Sequence, residues 1–247
     1  MLTSVPAQDL RKLGALVFAV TREPAEWERA LSRRDQLTVW GVGAHPGVAT
    51  ALSTFDPVAF SDAAEKALLI GEVGLDGRAK TSSLRQREVF EAVLEVVAVT
   101  PRPVSIHSVG ACRAVLDALK ERPIVAPILH WWRGDQAQTE EAIELGCYFS
   151  LNGAEIASPK VLDLLPAQRV LTETDFPHTR KRDPAASKPA EVGTIEAGLM
   201  DAWGLGLLGV REQLWRNLAG VVDSCDLFDA LPARVQELLL TAGLDDS

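Results

Sequence analysis

PVSIHSVGACRAVLDALKERPIVAPILH, residues Pro103 to His130, holds two short apolar runs that each end in a histidine. Between PVSIH (Pro103 to His107) and IVAPILH (Ile124 to His130), the segment Ala111 to Glu121 places apolar residues three and four apart, the period of a helix. A strand, a crossover helix and a second strand in that order predict a parallel sheet. The alternation continues on both sides. Upstream lie LVFAV (Leu16 to Val20), LTVWGVG (Leu37 to Gly43) and LLIGEVG (Leu68 to Gly74); downstream lie CYFSL (Cys147 to Leu151) and RVLTET (Arg169 to Thr174). Helical periods fill Ser83 to Val99 and Asp135 to Leu145, and recur near Glu191 to Trp203, Val210 to Leu218 and Leu231 to Leu240.

This order predicts an α/β protein of the TIM-type (β/α)8 barrel class with seven recognisable strands. The first recognisable element, Ala7 to Lys12, is helical and precedes LVFAV, so the opening strand of an eight-stranded barrel is missing or replaced. A start upstream of Met1, a shortened chain and a true loss all fit this pattern. An unclosed barrel exposes two strand edges unless something covers them.

With 247 residues, 47% apolar and 24% charged, the chain is excluded from the disordered and collagen-like classes, and one domain over residues 1–247 is expected. The net charge of −9 argues against a basic DNA-coating protein, so any nucleic-acid contact must be local. Cys112, Cys147 and Cys225 lie far apart without a CxxC pair, which fits a reducing cytoplasm and no disulfide framework. Cys112 and Cys147 are expected to be buried small hydrophobes. The run Leu13 to Val20 lacks a small-residue cleavage site, and no apolar stretch approaches the roughly 18 residues that span a bilayer, so no membrane partner is expected.

All four histidines fall at or just beyond the carboxyl end of an expected strand: His45 in GAHPG, His107, His130, and His178 in ETDFPH. In a parallel barrel those ends share one mouth, where active sites of this architecture are built. Glu72 in GEVGLD and Asp175 after RVLTET occupy equivalent places. Imidazole and carboxylate together suit zinc, manganese or a related divalent ion, and Glu72 is the candidate to bridge two of them. Bound metal lowers the pKa of a coordinated water and stabilises charge on a phosphoryl or carbonyl oxygen, the physics of hydrolysis. His178, Arg180, Lys181 and Arg182 follow Asp175 and, with Arg133 in HWWRG, supply local positive charge. Of Trp131 and Trp132, at most one is expected to stack a nucleobase, since one of an adjacent pair packs inward. Glu173 shares a strand face with Asp175 and is expected behind the metal ligands rather than among them, and Asp76 reads as a turn residue.

The ordered set GAHPG, GEVGLD, QREVF (Gln86 to Phe90), RPVSIH, HWWRG, CYFSLNG, LTETDFP and RNLAGV (Arg216 to Val221) resembles the TatD-type metal-dependent deoxyribonucleases of the amidohydrolase superfamily. The resemblance implies a (β/α)8 barrel that holds one or two divalent ions (Mg, Mn or Zn) and cuts phosphodiester bonds, often from the 3′ end of single-stranded DNA. It further implies Glu72 as the shared ligand, His107 and His130 as ligands of one metal, and Asp175 as the ligand that also orients the attacking water. His45 then contacts substrate phosphate, beside Arg133, Trp131, His178 and Arg180. Members of this family begin with a strand ending in an HxH pair, which this sequence lacks. The position left with Glu72 and Asp175 is therefore expected to bind metal weakly. The spelling HWWRG, WGVGAHPG and ETDFP also resembles a TatD subgroup of bacterial antiphage defence clusters, which implies protein partners of a defence complex. Two other readings stay open: a hydrolase of a small cyclic amide or lactone, and a non-catalytic partner protein.

Overall fold

Each apolar run becomes a parallel strand in the computed structural model, which describes residues 2–156, 162–177, 189 and 191–243. The strands are β1 (Val17–Ala19), β2 (Thr38–Val42), β3 (Leu69–Gly74), β4 (Val104–His107), β5 (Pro127–His130), β6 (Tyr148–Leu151) and β7 (Val170–Thr172). They stand side by side in sequence order and curl into a half-barrel of seven strands, the number the sequence predicts. The helices are α1 (Ala7–Arg11), α2 (Trp27–Leu31), α3 (Ala49–Ser53), α4 (Pro57–Lys66), α5 (Ser83–Val99), α6 (Cys112–Glu121), α7 (Gln136–Glu144), α8 (Gly153–Ile156), α9 (Gly193–Trp203), α10 (Leu207–Ser224) and α11 (Ala233–Gly243). Within IVAPILH the strand starts only at Pro127, after Ala126 at φ +51°. Proline donates no N–H to a ladder and suits the first strand position.

Local signals set the helix starts. The Asp56 side chain accepts from the N–H groups of Val58 and Ala59 at the start of α4, with Pro57 at the first helical position. Asp135 and Gln138 form a reciprocal capping box on α7. In α5, Val89, Phe90, Val93, Leu94 and Val97 are buried at helical spacing.

Both faces of the sheet are covered, by different parts of the chain. Outward residues such as Val42, Ile70, Val73, Ile106, Leu129 and Phe149 share one apolar cluster with Phe60, Phe90, Val93, Leu116 and Ala142 of the crossover helices. Inward residues at the amino-terminal half, Val39, Leu69, Ile128 and Tyr148, share another with Val221, Val222, Leu227, Leu231, Val235 and Leu239 of the C-terminal region. The C-terminal helices thus plug the concave face below the mouth. Asn217, in the RNLAGV motif, donates to the carbonyls of Ala167 and Val170 at 2.7 Å each, tying α10 to the start of β7.

At the other end of the sheet, Leu10 of α1 packs with Val17, Ala19, Ala30 and Trp40. Arg33 makes a two-pronged ion pair with Asp35 (2.6 and 2.9 Å), stacks on Trp40 at 4.8 Å and donates to the carbonyls of Thr3 and Val5. The N-terminal segment is held against β2 by these contacts. No helix among the described residues is long and apolar enough to cross a membrane.

Candidate metal centre and active site

Strand register brings the chemistry to one mouth. His107 pairs with His130 and His130 with Ser150 across β4, β5 and β6, so all three side chains share the concave face at one level. Ser150 pairs with Leu171, and Glu173, two residues farther along the same chain, rises above it. Glu72 reaches this face by a different route. Between the pairs Ile70–Val104 and Val73–Ile106, β3 carries one residue more than β4, a bulge. Without it, alternation from Leu69 (inward) and Ile70 (outward) would turn Glu72 toward the helices. The N–H of Thr21 bonds the Gly71 carbonyl at 3.0 Å, and the Glu72 N–H bonds the Thr21 carbonyl at 2.8 Å, which fixes the bulge from the β1 side. Gly71 stands at φ +151°, where a Cβ would also lie 2.8 Å from Cβ of Ser105.

Glu72 Oε1 is the centre of the constellation. It lies 2.7 Å from His107 Nδ1, 3.5 Å from His45 Nε2 and 3.8 Å from His130 Nε2. Asp175 Oδ1 lies 3.8 Å from the same His130 nitrogen. Behind His130, Glu173 Oε2 sits 2.6 Å from Nδ1 and also accepts from the Ser150 hydroxyl, while its Oε1 accepts from Asn152 Nδ2 at 3.0 Å. A carboxylate only accepts, so Nδ1 of His130 carries a proton and Nε2 is turned to the gap between Glu72 and Asp175. Trp131 (φ +45°) and Asp175 (φ +46°) both hold left-handed backbone conformations, of the kind that concentrates at functional sites.

The charges are strongly coupled. Burial opposes the Glu72 charge, but His130, His107 and His45 more than offset this and hold the carboxyl well below its usual range. Burial likewise opposes charge on His130, which Glu173, Glu72 and Asp175 nevertheless hold well above the ordinary imidazole value. Burial, with help from Glu72 and Glu173 and against His130, pushes Asp175 up to about 7. Three carboxylates around one imidazole, Glu72 buried and Glu173 and Asp175 half-buried, are an anionic surplus suited to a cation.

His45, Glu72 and His107 bring three potential ligand atoms within 4.8 Å of one another. The imidazole of His45 is nevertheless arranged as a donor. Its Nδ1 accepts the Gly47 N–H at 2.9 Å, and burial lowers its pKa to about 4, so the neutral ring carries its proton on Nε2, facing Glu72. Beside Glu72 and His107, His130 Nε2 lies 3.8 Å from both Glu72 and Asp175, so these four side chains offer nitrogen and oxygen donors of the type zinc and manganese take.

Of the other residues singled out in the sequence, Arg133 lies exposed over Trp131, 5.5 Å from the ring centre, on the loop after β5. Trp132 is the inward member of the pair, 1% exposed, donating to Thr139 Oγ1 at 2.9 Å. His178, Arg180, Lys181 and Arg182 lie outside the described residues. Cys147 is buried, which raises its thiol to about 12, and Cys112 is half-buried. Sequence reading missed Ser150 and Asn152, although CYFSLNG was in view; period-two alternation from Tyr148 would have placed both beside Glu173. Arg22 and Arg78, exposed on the loops after β1 and β3, also escaped it.

Solved structures share the architecture. The chain superimposes on the TatD homolog YjjV of Escherichia coli K12 with a TM-score of 0.72 at 20% identity, covering 87% of this chain and 89% of that one. A hydrolase TatD family protein from Entamoeba histolytica gives 0.71 at 15% identity, covering 87% of each. In sequence, the chain is 29% identical over 160 residues to the 3′-5′ ssDNA/RNA exonuclease TatD of Citrobacter rodentium, 61% of this chain and 60% of that protein. It is 28% identical over 172 residues to the uncharacterized metal-dependent hydrolase TatD of Mycobacterium tuberculosis, 63% of this chain and 64% of that protein. The chain thus spans about three fifths of the length of these relatives. Residues 4–223 match the family described as TatD related DNase, and the chain belongs to that family.

Proposed function

We propose that the protein is a divalent-metal-dependent phosphodiesterase that removes nucleotides from the 3′ end of single-stranded nucleic acid. The observation that carries this reading is the convergence on Glu72 Oε1 of His107 at 2.7 Å and His130 at 3.8 Å, with Asp175 beyond. A divalent ion held by Glu72, His107, His130 and Asp175 supplies a Lewis acid for a phosphoryl oxygen and lowers the pKa of a water. The chain's own residues do the rest. Asp175 orients the attacking water, and Glu173 keeps His130 in the tautomer that offers Nε2. His45 donates its Nε2–H to a phosphate oxygen, while exposed Arg133 and half-buried Trp131 receive the backbone and a base of the strand. His178 and Arg180 extend this contact in the same reading.

The four histidines of the sequence, at 45, 107, 130 and 178, include no HxH pair. We therefore assign one tight metal position and leave a second, resting on Glu72 and Asp175, weakly held. The name of the Citrobacter relative supports the substrate class and the 3′ polarity. From the motif spelling we assign defence-complex partners, from the cysteine usage action in the cytoplasm, and from the length one catalytic domain.

End-labelled single-stranded oligonucleotides incubated with Mg, Mn or Zn test this reading. Stepwise shortening from the 3′ end by the wild type, abolished in His130→Ala, is the expected result. Absence of cleavage with all three metals, or equal cleavage by both proteins, contradicts it.

A further inference from the structure

QREVF begins with Gln86, which the sequence reading leaves without a task. The side chain is 3% exposed and lies near the start of α5. A buried amide must find partners, and Gln86 finds all of them in the loop after β3. Its Oε1 accepts the Asp76 N–H at 2.7 Å, and its Nε2 donates to the Asp76 carbonyl at 3.1 Å and to Thr81 Oγ1 at 2.8 Å. The Thr81 hydroxyl, oriented by that bond, donates its own proton to the Pro46 carbonyl at 2.7 Å, across to the loop after β2.

Pro46 follows His45 directly, and a proline has no N–H, so its carbonyl is the only backbone group by which residue 46 can be tied. The rest of this loop is held through its own backbone. The His45 N–H bonds the Arg22 carbonyl at 2.9 Å, the Val48 N–H bonds the His45 carbonyl at 3.0 Å, and the Gly47 N–H bonds the His45 ring at 2.9 Å. The place of the ring therefore follows the backbone of residues 45–47. A Cβ on Gly47 would lie 3.5 Å from Asp76 Oδ2, so the two loops are already in contact there. Arg85, the neighbour of Gln86, donates to the carbonyls of Leu52 (3.0 Å) and Phe55 (3.4 Å), just beyond the loop. The start of α5 thus grips the segment from Pro46 to Phe55 at both ends.

We propose that Thr81, itself held by Gln86, is a positioning residue for His45: it fixes the Pro46 carbonyl and so sets where the ring meets a substrate phosphate. This rests on the reading of His45 as the donor to substrate. A donor aimed at a developing charge works because it is held in place beforehand, and a misplacement of about 1 Å can cost about a hundredfold in rate.

Thr81→Val keeps the shape of the side chain without the hydroxyl, and Thr81→Ser keeps the hydroxyl. Turnover of an end-labelled oligonucleotide with Mn, Zn affinity, and amide hydrogen exchange at Gly47 and Val48 are measured for both. Thr81→Val is expected to lower turnover about tenfold in the wild type but less than about twofold in His45→Ala, because the two residues act through one contact. Zn affinity should stay unchanged, exchange at Gly47 and Val48 should speed up about tenfold, and Thr81→Ser should match the wild type within about twofold. Equal losses in the wild-type and His45→Ala backgrounds, turnover of Thr81→Val like that of the wild type, or unchanged exchange at both amides overturns the proposal. A wild type that cleaves nothing defeats the phosphodiesterase reading instead, and exchange in Thr81→Val then decides whether Thr81 sets the His45 loop.

Discussion

At the residue scale, the state of single protons separates ligands from helpers. His45 spends Nδ1 on the Gly47 N–H, so the account makes it a donor to substrate and not a metal ligand. His45→Ala is expected to lower turnover about a hundredfold, the usual cost of one donor at a developing charge, with Zn affinity unchanged. Equal loss of metal in His45→Ala and His130→Ala, followed by calorimetry, contradicts that assignment. Glu155 on α8 is the second case. Fully buried, with its Oε1 unpartnered among the described residues, it has its carboxyl pushed up to about 8, by burial first and by Glu173, against Arg133 and His130. Its folded pKa exceeds its unfolded value near 4.5, so its contribution to stability is present below that value and is lost as pH rises toward 8. Glu155→Gln should therefore match the wild type near pH 4 and exceed it by up to a few kcal/mol near pH 8, in denaturant melts at the two pH values. A difference independent of pH contradicts this.

At the element scale, the bulge in β3 decides which way Glu72 faces. Gly71→Ala places a Cβ 2.8 Å from Ser105 Cβ at φ +151°, and an expected loss of about 2 kcal/mol or more would be read in thermal melts. Retained stability together with retained metal uptake would show that the bulge is dispensable. The strands, α1, α5 to α7 and the C-terminal helices were legible, whereas α4 (Pro57–Lys66) was not read. Ser83 to Val99 was read from its apolar period with the bounds it has, and each strand fell inside its apolar run, because those patterns are local. The bulge was not legible, since an extra residue shows only against the partner strand. Nor was the second oxygen of Asp76, whose turn role is local while its approach to His107 depends on pairings between β3 and β4.

At the scale of the whole molecule, a half-barrel needs both faces covered, and here the chain's own C-terminal helices fill the concave side. Apolar periods announced helices near Leu231 to Leu240, yet no sequence pattern told which face they cover, because an amphipathic stripe does not name its partner. Val235 is fully buried in that plug, with Leu69, Ile128 and Tyr148 in the same cluster. Val235→Asp is expected to cost more than about 3 kcal/mol, and a thermal melt like that of the wild type would mean the plug is not part of the core. Above the plug, the mouth gathers residues from β3, β4, β5 and the segment after β7 around Glu72, and their common purpose is the central claim. The most direct test is metal stoichiometry by elemental analysis, with Mn and Zn titrations, on the wild type beside Glu72→Ala. One tightly held ion per wild-type chain, lost in the variant, is the expected result; equal uptake by both proteins, or none by the wild type, would contradict a metal centre built on Glu72.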